Sequence, residues 1–446
     1  MSPIRKRNKS LGVVELIAIA VGGMVGGGIF SILGISASMI GFLTPIAIII
    51  GGLIAMLAAY AYVKLGVYYK DEGATYSFIK RTFPKKHIAA ATIGWYVIFG
   101  YISTLALYSY TFASYAISST GYADDIWVRK AVSWAVIAFF TIINLWSVKG
   151  MGRIEDIMVY TKLFILFIVS VLLMQHGQTT FGQFMNQMIE DAEHAKLLHI
   201  LIVASITFVA YEGFQLVINA VNEMTNPDKN IPRAIYGAII LVITIYVIIA
   251  MGALFAIPVE NLVRDKEYAL AAGASEAIGN MGKLLVIFSA LLATSSAISG
   301  TVFGSSRQMA VIAEDHLMPK FLAKRNRENI PVNALISMAA LASLLILVGG
   351  LRLILEFGSI TFLVVSLLMS LTNYTIRDKT QSSGFISLLS IAGLSLGAIL
   401  ILYYELTTKL DQMLFILVIY ILLTIGAYWF SQKKKKMLSE INHNKS

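Results

Sequence analysis

The sequence predicts an all-α membrane protein with twelve transmembrane helices. Its 446 residues are 57% hydrophobic and 13% charged, whereas an average soluble domain is about 45–50% apolar and about 25% charged. The mean hydropathy is +0.76. Apolar runs of about 20 residues, each long enough to cross a bilayer as a helix, recur along the chain with only short polar connections. These runs indicate a single membrane domain.

Polar breaks separate twelve apolar runs, which are the predicted spans. They lie near residues 12–38, 43–68, 88–118, 128–147, 154–175, 198–222, 233–256, 282–312, 333–350, 355–376, 384–404 and 411–431. An even number of spans puts both termini on one side. With the N-terminal segment 1–11 in the cytoplasm, 26 of the 35 Lys and Arg residues fall on that side and eight on the other, as the positive-inside rule requires. We therefore expect a multi-pass protein of the cell (inner) membrane with both termini in the cytoplasm.

Composition argues against several classes of function. The net charge of +10 is scattered over the ends of apolar runs, so no nucleic-acid partner is expected. The chain has no cysteine and only six dispersed histidines, so neither a disulfide framework nor a metal site is predicted. No zinc-protease motif, nucleophile elbow or phosphate-binding loop occurs within the spans. The sequence therefore predicts a protein that is not an enzyme and has no cofactor, apart from a coupling ion.

The first span contains the segment AVGGMVGGGIF at residues 20–30. Five of the seven residues from Gly22 to Gly28 are glycine, and each glycine destabilises a helix interior by about 1 kcal/mol relative to alanine. Close packing of a neighbouring helix is the alternative explanation, but the pair Gly22 and Gly26 would suffice for that. The segment predicts a break at bilayer depth, where freed backbone groups must face protein or a water-filled cavity.

The sixth span contains a second interruption, in ITFVAYEGFQL at residues 206–216. Glu212 and Gly213 interrupt the apolar run about 13 residues, or about 20 Å, from its start at His199. A glutamate at that depth either faces a cavity or is paired structurally with a neighbour, and both interpretations stay open. Two broken helices five spans apart are typical of transporters that bind substrate near the midplane.

The chemistry of two such breaks suits one class of small molecule. The amino terminus of a half-helix presents N–H groups and the positive end of the dipole, which favour a carboxylate. The last carbonyls of the preceding half-helix favour an ammonium. An amino acid carries both groups on one carbon, so the sequence predicts an amino acid substrate.

Four segments resemble the amino acid/polyamine/organocation superfamily of secondary transporters, among them its amino acid permeases. They are GGGIF at 26–30, DEGATYSFIKRTFP at 71–84, FVAYEGFQLVINAVNEMTNPDKNIPRAI at 208–235 and SSRQMAVIAEDHLMPKFLAKRNRENIPVNAL at 305–335. The resemblance implies a five-plus-five inverted repeat with discontinuous helices 1 and 6 and with alternating access. The transport core would be 12–376, with repeats at about 12–175 and 198–376. Helices 11 and 12 would occupy 377–431, followed by a basic cytoplasmic tail at 432–446.

The resemblance also implies a set of substrate-binding residues. The backbone amides of Gly26, Gly27 and Gly28 match those that hold the substrate carboxylate, and the carbonyls of Met24, Val209 and Glu212 match those that hold the ammonium. Tyr211 matches an aromatic residue that walls the pocket. Neighbouring residues complete the predicted site: Ile29, Phe208, Ala210 and Gly213. The acidic Glu212 departs from many family members and leaves the charge of the substrate side chain open.

Lys162 is the one basic residue within a span. It lies nine residues past Arg153, or about 13 Å into a hydrocarbon layer of about 30 Å. A snorkelling or ion-paired lysine is the alternative, but at this depth a functional role is favoured. Burial disfavours the ammonium form of a lysine, so such a residue can load and lose a proton. The segment YTKLFIL at 160–166 resembles family members with a fifth-helix lysine in place of a sodium ion.

The segment ATSS at 293–296 supplies hydroxyls near this predicted lysine position. Thr294 and Ser295 are therefore candidate partners of Lys162 or, alternatively, ligands of a sodium ion. An ammonium and a sodium ion would repel each other in one small site, so the sequence favours a proton as the coupling ion, with sodium as the alternative.

The sequence leaves other functions open beside proton-coupled amino acid import. One is an exchanger of amino acids or their decarboxylated amines, and a different class is a receptor or a channel. Expected partners are the small-molecule amino acid and the lipid bilayer, and the sequence does not predict an oligomeric state.

Overall fold

The computed structural model describes residues 11–146, 151–177, 179–194, 196–265 and 268–443, and these residues are almost entirely helical. Eighteen α-helices follow in chain order: α1 Val13–Met24, α2 Gly28–Ile40, α3 Thr44–Tyr69, α4 Ala74–Thr82, α5 His87–Ile117, α6 Ile126–Trp146, α7 Met151–His176, α8 Phe181–His194, α9 Leu197–Thr207, α10 Leu216–Asn219, α11 Pro227–Ala256, α12 Val259–Arg264, α13 Ala269–Glu314, α14 Val332–Val348, α15 Leu351–Thr375, α16 Arg377–Thr380, α17 Gly384–Thr408 and α18 Leu410–His443. Within the described ranges no β-strand forms, and one isolated bridge pairs Leu11 with Met224. The predicted all-α membrane class is confirmed.

Ten helical segments of the described chain are long and apolar enough to cross a membrane. One of them, Gly28–Tyr69, joins α2 and α3 across a short 3₁₀ turn, and another, Leu197–Asn219, joins α9 and α10. Two shorter apolar helices, α1 and α14, accompany them. A multi-pass membrane architecture follows. The count of twelve spans, the two inverted repeats and the domain boundaries stay predictions.

The helix break expected in the first span is present. α1 ends at Met24 and α2 begins at Gly28, and Val25 between them has non-helical angles of φ −82° and ψ 73°. The amide of Gly26 donates a hydrogen bond to the carbonyl of Met24 at 2.9 Å. The glycine-rich segment therefore divides one apolar run into two helices.

The second expected break is also present. α9 ends at Thr207, a 3₁₀ turn covers Phe208–Tyr211, and Glu212 is extended. Gly213 follows with a φ of +130°, a conformation that residues with a Cβ rarely adopt. The helix resumes only as the short α10. The sixth span is therefore interrupted where Glu212 and Gly213 predicted it.

The two breaks meet in the centre of the helix bundle. A Cβ on Gly213 would lie 2.5 Å from the carbonyl carbon of Gly23, so glycine is needed here for close backbone approach as well as for φ. α1 packs against α7, α10, α11 and α13, and α13 in turn packs against α5 and α7. Helices α5, α7, α11 and α13 thereby surround the first break and position the side chains around it.

Two helices extend beyond their predicted spans. α13 begins at Ala269 and carries a kink at Gly279, where φ is +76°, so the predicted span 282–312 is only its second part. α18 continues to His443. The segment predicted as a basic cytoplasmic tail after residue 431 continues this helix as far as it is described, because Lys and Met are good helix formers and no glycine or proline intervenes.

Candidate functional site

Lys162 of α7 contacts the first break directly. Its Nζ donates hydrogen bonds to the carbonyl of Val25 at 2.6 Å, the carbonyl of Gly22 at 3.2 Å and Oγ of Ser296 at 2.9 Å. The side chain is completely buried. Backbone oxygens freed by the break, together with one hydroxyl of α13, therefore surround the ammonium group.

The lysine's hydroxyl partner differs from the residues proposed from the sequence. Thr294 donates its hydroxyl proton to the carbonyl of Ala290 in its own helix at 2.6 Å. Ser295 is only half-buried. Ser296 is the hydroxyl that contacts Lys162, because successive residues point about 100° apart around a helix and this one faces α7.

Tyr246 of α11 connects the two breaks. Its hydroxyl lies 2.8 Å from the carbonyl oxygen of Met24 and 3.0 Å from that of Ala210. One O–H group thus serves two carbonyl oxygens that the helix breaks leave without helical partners. Tyr246 is not identifiable from the sequence, since a tyrosine in an apolar run carries no distinguishing local signal.

The three glycines proposed to bind a carboxylate are tightly packed. A Cβ on Gly28 would lie 2.8 Å from the Cβ of Ala210, and one on Gly26 would lie 2.8 Å from the ring of Tyr108. Gly27 is similarly close to Thr111. These positions therefore require glycine for contact between neighbouring segments.

A cavity of about 40 Å³ lies next to the breaks, one helical turn before these glycines. Its lining comes from α1, α5, the second break, α10, α13 and α15: Gly22, Gly23, Tyr101, Thr104, Tyr108, Glu212, Gly213, Leu216, Asn219, Ser296, Ala297, Gly300, Thr301, Gly304, Ser305, Gln308 and Phe362. This volume has room for a few water molecules. Ser296, which contacts Lys162, is part of the lining.

Among the predicted site residues, Glu212 and Gly213 line this cavity. Ile29, Phe208, Val209 and Ala210 are buried and are not part of the lining. The predicted pocket aromatic, Tyr211, is also buried, and its hydroxyl donates to the carbonyl of Ile48 on α3 at 2.7 Å. The aromatic residues that line the cavity are Tyr101, Tyr108 and Phe362.

Glu212 presents a carboxylate oxygen without a partner. Its Oε2 accepts a hydrogen bond from the side-chain amide of Gln215 at 2.7 Å, whereas its buried Oε1 has no hydrogen-bond partner among the described residues. The Oε1 atom of Gln215 accepts from the amide of Gly213 at 3.1 Å. Glu212 is therefore held in place at one oxygen while the other stays available.

The cavity follows one face of α13. Ser296, Gly300, Gly304 and Gln308 recur every four residues, which places them in one row along the helix. The row extends over about 18 Å towards the carboxyl end of α13. Small residues along this face leave space beside Glu212 that larger ones would fill.

The remaining motif segments meet where α13 ends. Asp315 accepts hydrogen bonds from Tyr76 at 2.7 Å and from Lys80 at 2.5 Å, both on α4. Burial acts to raise the pKa of the Asp315 carboxyl, but the hydrogen bonds from Lys80 and Tyr76 outweigh it and hold this pKa below its ordinary value. The segment 71–84 is thereby fastened to the segment 305–335.

Similar links join the start of segment 71–84, and Lys70 directly before it, to the exit of the second break. Lys70 forms an ion pair with Asp228 at 2.8 Å, and Asn222 donates to the carboxylate of Glu72 at 2.8 Å. These surface-exposed contacts each contribute little stability. Together they explain why the motif segments, which are far apart in sequence, share one end of the bundle.

Comparison with known proteins agrees with this architecture. The sequence model of the amino acid permease family matches residues 11–442. The inner membrane transport protein YbaT of Escherichia coli is 29% identical over 320 residues, which cover 71% of this chain and 72% of YbaT. Cationic amino acid transporter 7, chloroplastic, of Arabidopsis thaliana is 26% identical over 373 residues, or 79% of this chain and 62% of the relative. The large neutral amino acids transporter small subunit 2 of Oryctolagus cuniculus is 28% identical over 352 residues, or 76% and 64%.

The family match spans both helix breaks, Lys162 and the segments at the end of α13. Its extent, together with the membrane-spanning helices, indicates a multi-pass transporter of small molecules and not an enzyme. The chain belongs to the amino acid permease family of the amino acid/polyamine/organocation superfamily.

Proposed function

We propose that this protein imports amino acids across the cell membrane by proton symport, through alternating access to a central site. The supporting observation is the completely buried Nζ of Lys162, which lies 2.6–3.2 Å from two carbonyl oxygens of the first helix break and the hydroxyl of Ser296. A group that binds and releases a proton at this position acts on the break itself, and thereby on the substrate site.

The arrangement favours a proton over sodium as the coupling ion. The lysine already engages the carbonyls of Gly22 and Val25, which are the kind of oxygen ligands that a sodium ion would need. Two unit charges about 4 Å apart repel each other by about 4 kcal/mol at an effective dielectric constant of about 20. Sodium would therefore have to displace the ammonium before it could bind.

Loss of the proton would weaken the contacts at the break. A neutral amine donates weaker hydrogen bonds than an ammonium, because charge-assisted bonds are about twice as strong as neutral ones. The carbonyls of Gly22 and Val25 would then be held less firmly by Lys162. We propose that this change couples proton release to movement of α1.

The substrate ammonium is expected at the carbonyls beside Tyr246. Its hydroxyl already lies against the carbonyl oxygens of Met24 and Ala210, and an ammonium with three donors would compete for these acceptors. The cavity of about 40 Å³ accommodates only a few water molecules. Substrate binding therefore requires the lining side chains to move apart.

Glu212 is the proposed determinant of side-chain selectivity. Its unpartnered Oε1 and its position on the cavity lining would favour a cationic group of the substrate. Relatives include a cationic amino acid transporter and a subunit of a large neutral amino acid transporter, so their names support the amino acid class without selecting the side chain.

The proposed direction is inward. With both termini in the cytoplasm, the carboxyl end of α13 would face the cytoplasm, and the cavity follows α13 from Ser296 to Gln308 towards that end. This route would release substrate into the cell when the network around Asp315 loosens.

Uptake into proteoliposomes tests the proposal. The purified protein is reconstituted, and a labelled panel of cationic, neutral and acidic amino acids is offered with either an inward proton gradient or an inward sodium gradient. Accumulation with an acidic exterior and no sodium is expected. Uptake that requires sodium and does not depend on pH would refute proton symport. Uptake that occurs only when the proteoliposomes contain unlabelled amino acid would identify an exchanger.

A further inference from the structure

Two adjoining cavities lie at the end of α18, apart from the transport site. The larger, of about 820 Å³, lies between the segment after α13 and the last turns of α18. The smaller, of about 240 Å³, lies against α4 and the start of α5. Lys434 lines both cavities. We call them together the two-cavity site.

The two-cavity site is strongly basic. Glu440 is the one acidic residue on the lining of the larger cavity. Four lysines also line this cavity: Lys320, Lys433, Lys434 and Lys436. Within the described part of the chain, none of the four forms an ion pair with a carboxylate. In the smaller cavity, Lys80 and Arg81 are already neutralised by Asp315 and Asp71. Asp315 also attracts Lys434 electrostatically, so the excess positive charge rests mainly on the larger cavity, where four lysines face the single Glu440.

A buried ring nitrogen of His316 on the lining of the larger cavity also lacks a hydrogen-bond partner among the described residues. His316 lines the larger cavity, and its backbone has a φ of +60°. Its Nδ1 is buried and has no hydrogen-bond partner among the described residues. Buried polar atoms in folded proteins usually have a partner, so a ligand in the cavity would satisfy this one.

One wall of the larger cavity is apolar and partly exposed. Trp429 is 57% exposed, and Phe430, Met318 and Met437 lie beside it. The 34 residues of α18 extend over about 51 Å, whereas the hydrocarbon layer is about 30 Å thick. Its last turns therefore leave the membrane, and Trp429, about one helical turn before Lys433, lies at the depth where tryptophans mark the interface.

We propose that the two-cavity site binds an anionic glycerolipid whose headgroup carries two phosphates, as in the cardiolipin class. One phosphate occupies each cavity, and Lys434 contacts both. The acyl chains lie along Trp429 and Phe430 on the membrane side. A free diphosphate offers the same headgroup chemistry, but it would leave this apolar wall uncovered, so the lipid accounts for more of the site.

Lipid binding to the full-length purified protein tests the proposal. Native mass spectrometry in detergent compares a cardiolipin with two phosphates, a phosphatidylglycerol with one and a zwitterionic phosphatidylcholine. We expect cardiolipin to bind at least tenfold more tightly than phosphatidylglycerol. Equal affinity for these two lipids would overturn the proposal. Displacement of bound cardiolipin by inorganic pyrophosphate at similar concentration would assign the site to a soluble diphosphate and would likewise overturn it.

Substitutions locate the binding. Lys434→Gln is expected to weaken cardiolipin binding by about tenfold and thereby to abolish the preference for two phosphates over one. Lys320→Gln is expected to weaken cardiolipin binding less, because Lys320 lines only the larger cavity. The matched control is Lys379→Gln on α16, an exposed lysine away from the site. Thermal unfolding without lipid checks that each variant folds. Unchanged binding by both folded variants, or an equal loss in the control, would contradict the assignment.

Discussion

Replacement of Lys162 by methionine should separate proton coupling from substrate binding. Methionine keeps most of the apolar stem but removes the ammonium, so the carbonyls of Gly22 and Val25 lose a donor. Each unsatisfied acceptor destabilises the fold by about 1–3 kcal/mol. Removing a charge from bilayer depth stabilises it by about 2.5–3.5 kcal/mol. Together the two carbonyls give about 2–6 kcal/mol of destabilisation, so the net effect lies between about 1.5 kcal/mol of stabilisation and about 3.5 kcal/mol of destabilisation, and the variant is expected to fold.

The effect on transport should be larger. A proton gradient of about two pH units supplies about 2.7 kcal/mol per proton, which corresponds to about 100-fold accumulation when one proton accompanies one substrate. The wild type should approach this ratio in proteoliposomes with the membrane potential clamped at zero. Lys162→Met should equilibrate at a ratio of about one, since no other described lysine is completely buried within a span.

Two controls distinguish loss of coupling from loss of the protein. Labelled substrate should still exchange with unlabelled substrate across membranes that contain Lys162→Met, because the lysine is not on the cavity lining. Lys379→Met, at an exposed lysine, should accumulate as the wild type does. Ser296→Ala should lower accumulation, whereas Thr294→Ala should not, since the hydroxyl of Ser296 accepts a hydrogen bond from the ammonium and that of Thr294 donates to the carbonyl of Ala290 instead. Gradient-driven accumulation by Lys162→Met at the wild-type ratio would refute the proposed coupling.

Three further predictions address other parts of the molecule. Glu212→Gln should weaken competition by cationic amino acids by about 10- to 150-fold relative to neutral ones, which corresponds to the loss of one charge-assisted bond of about 1.5–3 kcal/mol. An unchanged competition profile would return Glu212 to a structural role. Tyr246→Phe should remove the hydroxyl that lies against the carbonyls of Met24 and Ala210 and destabilise the protein by about 1–3 kcal/mol. Thermal unfolding in detergent measures this change, and a variant as stable as the wild type would contradict the prediction. Asp315→Asn should destabilise the protein by about 1.5–3 kcal/mol at neutral pH. Because Lys80 and Tyr76 lower the pKa of Asp315 in the folded protein against the effect of burial, the difference from wild type should begin to shrink as the pH falls below the ordinary aspartate pKa of 3.8 and should vanish only below the lowered pKa of the folded state. A difference independent of pH would contradict the assigned charge.

Features that depend on local composition were predictable from the sequence. Apolar runs of bilayer length identified a helical membrane protein, and the glycines from Gly22 to Gly28 identified the first break because glycine stabilises helices poorly. Glu212 and Gly213 identified the second break, since a buried carboxyl and a residue suited to positive φ are both unusual in a membrane helix. Lys162 was identified by depth alone. Each of these signals is present in a short stretch of chain.

Contacts between distant segments could be assigned only from the tertiary structure. The choice of Ser296 over Ser295 as the partner of Lys162 depends on the rotation of α13 about its axis, and one residue changes the facing direction by about 100°. The hydroxyl of Tyr246 meets the carbonyls of Met24 and Ala210 only because α11 packs against α1. No local pattern encodes such a meeting, because it depends on how helices pack.

The position of the cavity likewise depends on contacts between distant segments and not on local composition alone. The sequence located the backbone groups that a break must free, but it did not determine which of them stay accessible. Packing against Ala210 and Tyr108 covers Gly28 and Gly26, whereas the small residues of α13 leave space beside Gly22 and Glu212. Composition thus determined where the helices separate, and the side chains of neighbouring helices decided where a small molecule or water has room.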